Sequence, residues 1–123
     1  MDTIFAPSTP IGGAIAVIRA SGPACVRALT ALCGQDLTAV PRQVTHTPLY
    51  HNGTVIDDAM AVYYAAPRSY TGEDMFELYC HGGPAVVRDV LAALGALTLR
   101  AAEPGEFTRR AFLNGKLDLA QAE

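Results

Sequence analysis

The stretch Ala14-Ile15-Ala16-Val17-Ile18-Arg19-Ala20-Ser21-Gly22-Pro23 passes from an unbroken apolar segment straight into a helix-start signal. Residues 14–18 are apolar at both parities, the pattern of a central strand covered on both faces. Ser21-Gly22-Pro23 then supplies a cap and a proline at or near the first helical position. Val26, Leu29 and Cys33 recur at helical spacing beyond it, and Gly34 reads as the residue that closes that helix. On the N-terminal side, Thr3-Ile4-Phe5-Ala6 is a short strand candidate stopped by Pro7. On the C-terminal side, residues 43–50 and 54–66 flank His51-Asn52-Gly53. Asn-Gly accommodates the positive φ values of a type I′ turn, so a long hairpin is predicted. Residues 67–72 read as a loop and 75–81 as a strand ended by Gly82-Gly83. Pro84 opens a second helix with Val87, Val90, Leu91 and Leu94 inward and Gly95 after it. Residues 97–102 read as a last strand, and 106–113 as a short helix closed by Asn114-Gly115. The class is α+β: a mixed β-sheet of five or six strands with three helices.

Composition narrows the function classes. The chain has 123 residues, 50% of them hydrophobic and 17% charged, enough for one domain with its own core. The longest apolar run, residues 59–66, is far short of the ~20 that a membrane-spanning helix needs, so no membrane role is expected. Met1-Asp2-Thr3 carries an acid where a secretory signal would carry basic residues, so export is not expected either. Nine basic against twelve acidic residues give a net charge of −3. This balance argues against strong direct nucleic-acid binding, which draws its affinity from phosphate neutralisation. Three cysteines without C-x-x-C spacing suit a reducing compartment, with the cytoplasm as the expectation.

Several residues invite chemical readings. Gly115-Lys116 is not a phosphate loop, because Arg110 and Leu117 stand where that motif needs glycine and Ser or Thr. Cys80 and His81 are strand neighbours that point to opposite faces and cannot address each other. Cys80 and Cys33 therefore read as structural. For His81, positioning the turn and lining a site both stay open. Pro10-Ile11-Gly12-Gly13 lacks the strand-then-helix order of a dinucleotide site and reads as flexible entry to a strand. His46 and His51 have no spaced partner, so no metal site is expected. Arg19 ends an apolar strand, where an unpaired guanidinium is costly. Glu77 shares a face with Met75, Tyr79 and His81, while Phe76, Leu78 and Cys80 face the other way. Lys116 follows an Asn-Gly helix stop. For these three charges, a structural ion pair, a solvated group and a ligand contact all remain open.

Three blocks and the opening Asp2-Thr3-Ile4 carry a resemblance. The blocks are Ile15-Ala-Val-Ile-Arg19-Ala-Ser-Gly22; Ser69-Tyr-Thr-Gly-Glu-Asp74 running through Glu77 to His81-Gly82-Gly83; and Glu103-Pro-Gly-Glu-Phe107, continuing through Arg110-Ala-Phe-Leu-Asn-Gly-Lys116 to Asp118-Leu-Ala-Gln-Ala-Glu123. Together they resemble the N-terminal domain of the MnmE (TrmE) family of bacterial and organellar tRNA-modification GTPases. The resemblance implies a fold like the folate-binding aminomethyltransferase domain of the glycine cleavage system. It also implies a constitutive homodimer with a tetrahydrofolate derivative, 5-formyl- or 5,10-methylene-tetrahydrofolate, near the dimer interface. Residues 1–117 would form that folate-binding and dimerisation domain, and 118–123 would start a truncated helical domain. With an FAD-containing partner, MnmG (GidA), the family's proteins form a heterotetramer. The complex modifies carbon 5 of the wobble uridine in certain tRNAs, the folate supplying the one-carbon unit.

GTP, potassium and magnesium would belong to the GTPase domain alone, so this chain is expected to be inactive by itself, without catalytic residues of its own. The family's folate contacts fall on Arg19, Glu77 and Lys116, with a further contact and a cysteine at the family's far C-terminus. A carboxylate at Glu77 can accept two hydrogen bonds from the pterin edge. Arg19 and Lys116 would meet the anionic glutamyl tail or the polar edge of the ring, and Glu73 is the expected indifferent control. The apolar run 59–66, hard to cover on both faces of a hairpin, is expected to supply surplus apolar surface for the dimer. The alternative is a dimerisation and partner-docking scaffold that has lost folate binding. A stand-alone aminomethyltransferase is disfavoured by length.

Overall fold

A computed structural model describes residues 2–10 and 12–118. The elements run β1 (Ile4–Pro7), β2 (Ile15–Ser21), α1 (Cys25–Cys33), β3 (Thr45–His51), β4 (Thr54–Tyr64), β5 (Met75–His81), α2 (Pro84–Ala96), β6 (Arg100–Ala101) and α3 (Glu106–Leu113). Six strands form one sheet in the order β3-β4-β5-β2-β1-β6. All neighbours are antiparallel except β1 and β6, which are parallel. The α+β class with a mixed sheet and three helices is thereby established among the described residues.

Helices α1 and α2 cover one sheet face. Leu29, Leu32, Val90 and Leu94 pack there on Ile18, Ala20, Phe76, Leu78 and Cys80 in a single cluster. Burial of such side chains stabilises by roughly 1.5–3 kcal/mol each. The second face of β2 departs from the expectation of cover on both sides. Ala16, Ile18 and Ala20 are buried, whereas Ile15 is 60% exposed and Val17 and Arg19 are half-buried. Apolarity at both parities marks a central strand, yet among the described residues no helix lies over the Ile15 end of its second face. Met60, in the apolar run of β4, is likewise 42% exposed.

Local rules explain most element ends. Asn52 and Gly53 have φ of 53° and 77°, as a type I′ turn requires. Met75–His81 and Glu106–Leu113 form the predicted strand and helix. Other ends differ from expectation, beginning with β1, which runs Ile4–Pro7 and takes in the proline expected to stop it, paired with Ile18. Neither Ser21 nor Pro23 opens α1: the helix begins at Cys25 without a side-chain cap, and Thr3 Oγ1 accepts from the N–H of the preceding Ala24 at 2.7 Å, which ties the helix start to a distant segment. Gly22 is needed for that contact, since a Cβ there would lie 2.6 Å from the Thr3 Cα. Gly95 does not end α2 but lies inside it, and the helix closes at Leu97. The strand expected over 97–102 shrinks to Arg100–Ala101, because residues 97–99 complete the helix end, with Thr98 at φ 70°. The hairpin forms with β4 inside its predicted bounds, whereas β3 runs one residue further than expected, to His51, with a bulge between Leu49 and Tyr50. The helix start expected over 118–123 lies, from residue 119 on, outside the described residues. No helix among the described residues is long and apolar enough to cross a membrane.

Candidate functional site

The antiparallel register sets Arg19 of β2 directly opposite Glu77 of β5, so the strand pairing itself makes the ion pair. Nε and Nη2 of Arg19 donate to Glu77 Oε2 at 3.2 and 3.0 Å. The other carboxylate oxygen, Oε1, accepts from Tyr64 Oη at 3.1 Å and Tyr79 Oη at 2.7 Å. Tyr64 comes from β4 and Tyr79 from β5, two residues beyond Glu77. Burial pushes the Glu77 carboxyl up, and the hydrogen bonds from Tyr79, Arg19 and Tyr64 outweigh it, leaving its pKa below the usual carboxylate range. Tyr79 is pushed up to about 12, by burial first and then by its bond to Glu77. Near neutral pH the site is therefore a carboxylate held by a guanidinium and two phenols.

Two aromatic rings complete the surroundings. The Arg19 guanidinium carbon lies 5.6 Å from the centroid of Tyr70 and 5.9 Å from that of Phe107, within cation–π range. Tyr70 belongs to the 67–72 loop and Phe107 to α3, and Tyr70 Oη lies 3.0 Å from Thr108 Oγ1. Loop and helix thus close this end of the second sheet face. A cavity of about 220 Å³ remains, lined by Arg19, Tyr64, Tyr70, Met75 and Glu77. Ligand sites that enclose a drug-sized molecule usually measure roughly 300–1,000 Å³, so this cavity is smaller than such sites.

The third predicted residue stands apart. Lys116 is exposed, and its Nζ donates to the Pro67 carbonyl at 3.1 Å. The structure therefore brings Arg19 and Glu77 together and leaves Lys116 on the outer side of the loop. Glu73 is no indifferent control. Its Oε1 accepts from Ser21 Oγ at 2.7 Å and from Arg110 Nη1 at 3.1 Å, which ties the loop to the sheet and to α3. No local pattern in the sequence assigns Tyr64, Tyr70 or Phe107 to this site. Parity along β4 was no guide without its register, and Tyr70 is a loop residue.

Beside this site lies a closed ionic cluster. Arg110 and Glu106 of α3 are 4% and 3% exposed. Arg110 donates to the Asp2 carbonyl and to Asp2 Oδ1, both at 2.8 Å, and to Glu106 Oε2 at 3.3 Å. Arg100 meets the same Glu106 oxygen at 2.6 Å. The hydrogen bond from Arg100 is the main reason that Glu106 falls to about 2.

The remaining candidates fall into place without a ligand. His81 Nδ1 lies 2.8 Å from Asp57 Oδ1, and the His81 N–H donates to Asp57 Oδ2 at 2.9 Å. His81 thus anchors the end of β5. His46 pairs with Asp58 at 2.8 Å in an exposed position. A larger cavity of about 320 Å³ involves Ile15, Met60, Tyr79 and both of these histidines, but its walls are mainly apolar. Cys33 and Cys80 are buried, as is Cys25. Burial pushes the Cys33 and Cys80 thiols up to about 11, which makes them inert. Among the described residues, no group of three or more His, Cys, Asp or Glu side chains could hold a metal ion.

The described residues thus place a half-open guanidinium–carboxylate pair beside a small aromatic-walled cavity on an α+β sheet. The family profile described as "GTP-binding protein TrmE N-terminus" matches residues 3–116, and the chain belongs to that family. It is 49% identical over 124 residues to the tRNA modification GTPase MnmE of Thermotoga maritima, a match covering 100% of this chain and 28% of the relative. The corresponding protein of Caulobacter vibrioides is 54% identical over 123 residues, covering 99% of this chain and 27% of the relative. That of Phenylobacterium zucineum is 53% identical over 124 residues, covering 99% and 27%. The chain spans little more than a quarter of the length of these relatives.

Proposed function

We propose that this chain is the tetrahydrofolate-binding and homodimerisation domain of a tRNA modification GTPase. Residues 1–117 form that domain. The observation that carries the reading is the Arg19–Glu77 pair beside a ring-sized cavity, in a member of a family whose relatives bear that name. Glu77 takes the pterin edge, and Arg19 and Lys116 supply positive charge for the glutamyl tail. The folate, 5-formyl- or 5,10-methylene-tetrahydrofolate, supplies the one-carbon unit when bound. The whole protein hydrolyses GTP with potassium and magnesium in a separate domain. It acts in the cytoplasm with FAD-containing MnmG, on carbon 5 of the tRNA wobble uridine. Exposed Ile15 and Met60 support an interface on the second sheet face.

Calorimetric titration of the chain with 5-formyltetrahydrofolate tests the reading: heat with a defined stoichiometry supports it. The competing reading, a dimerisation and docking scaffold without folate, draws on Glu77 being fully engaged by the chain's own donors. A flat trace would favour it.

A further inference from the structure

Glu77 has no acceptor position to spare. Two Arg19 nitrogens occupy one oxygen and two tyrosine hydroxyls the other, and a carboxylate offers about four lone-pair sites. The donor edge of a pterin needs two of them, so two of the present donors must leave. Tyr64 and Tyr79 rise from paired strands, and each ring has only two torsions with which to withdraw. Arg19 is different. It supplies two of the four bonds by itself, is 31% exposed, and has the rings of Tyr70 and Phe107 beside it, so it can turn from Glu77 and keep its aromatic contacts. A guanidinium that gives up its carboxylate must find another anion or remain unpaired at a cost. The nearby Glu73 is already engaged by Arg110 and Ser21. The ligand itself must bring the anion.

We propose that Arg19 is an internal competitor for Glu77 and thereby the specificity determinant of the site. It keeps the carboxylate closed to neutral pterins. It yields to a ligand whose anionic tail accepts the displaced guanidinium. This rests on the folate reading of the site and extends it: ring and tail are recognised by one exchange, not by two independent contacts.

The test compares 5-formyltetrahydrofolate with 6-methyltetrahydropterin, which has the ring and no carboxylates, on wild type and Arg19→Met. Removing the competitor should strengthen binding of the neutral pterin, whereas removing the tail's partner should weaken the folate about tenfold or more. Opposite signs are the signature, and a structural defect would weaken both. A second measurement needs no variant. Saturating p-aminobenzoylglutamate, the tail fragment alone, should raise the affinity of wild type for the neutral pterin by roughly fivefold or more, the lower end of typical coupling between sites. If wild type binds the folate, yet Arg19→Met weakens both ligands and the tail fragment leaves pterin affinity unchanged, the exchange is overturned while the folate reading stands. If wild type binds no folate, both fall.

Discussion

Two arginine–carboxylate sites lie side by side, and they differ in what surrounds them. Around Arg110, the acids Asp2, Glu73 and Glu106 converge from the N-terminal segment, a loop and α3. Arg110 is 4% exposed and Glu106 3%. Around Arg19, one acid and three aromatic rings meet at the edge of a cavity, and the guanidinium side chain is 31% exposed. The first arrangement joins segments that are distant in sequence around a buried guanidinium. The second holds its charges where a ligand can reach them. Charge pairing alone does not distinguish the two; the open volume beside the second does.

Breaking the closed site should have the largest effect. Arg110→Ala leaves Glu106 and Glu73 without their shared partner, and removing one member of a buried pair typically costs about 3–5 kcal/mol. Denaturant unfolding should show a loss of that size, and an unchanged midpoint would show that the cluster contributes nothing to stability. Cys80→Ser and Cys33→Ser come next, at about 1–3 kcal/mol each for a buried hydroxyl without full compensation. Folate affinity should stay within a few-fold of wild type, so lost binding with an intact thermal transition would give the thiols a part in the site. Glu77→Ala tests the open site itself. Folate affinity should fall at least tenfold, about 1.4 kcal/mol, while the fold persists, since Phe76, Leu78 and Cys80 hold the opposite face. Equal affinity in titrations of wild type and variant would remove Glu77 from the site. Glu73, bound to Arg110, cannot serve as the control; the exposed Asp58 can.

The smallest effect is acid titration of the closed cluster. Glu106 titrates at about 2 when folded against 4.5 unfolded, and Asp2 at about 2 against 3.8. Their stabilisation is complete above the unfolded values and is lost as pH falls toward the folded ones. Asp2→Asn should therefore lower stability near pH 7, where that contribution is fully present, leave stability near pH 2 close to wild type, and so flatten the acid limb of a Tm-against-pH curve. A limb as steep as that of wild type would take Asp2 out of the linkage.

The open site was more legible in the sequence than the closed one, for a physical reason. A charge inside a strand pattern, such as Glu77 between Leu78 and Phe76, violates a local rule and shows at once. Arg110 and Glu106 sit on a short helix with the i, i+4 spacing of an ordinary solvated pair. Their burial depends on Asp2 and Arg100, which no local pattern connects to them. The same holds for the ends of α1: the one at Gly34 follows from helix chemistry, whereas the start depends on Thr3, far away in the chain. Periodicity located β5 and α3 within their bounds. It overestimated β6, because the turn after α2 uses residues that have strand propensity.

The grip of Arg110 on Asp2 also bears on how the chain is made. Synthesis proceeds at about 5–20 residues per second, so Asp2 leaves the ribosome some seconds before Arg100 and Arg110, the two arginines that bind it, exist. Through that interval β1 can pair with β2 and receive α1, but its acid has no permanent partner. The cluster therefore closes late in biogenesis, as a check that the third helix has arrived and docked. Until then the platform carrying Tyr70 and Phe107 is incomplete, and a nascent chain cannot display the finished site.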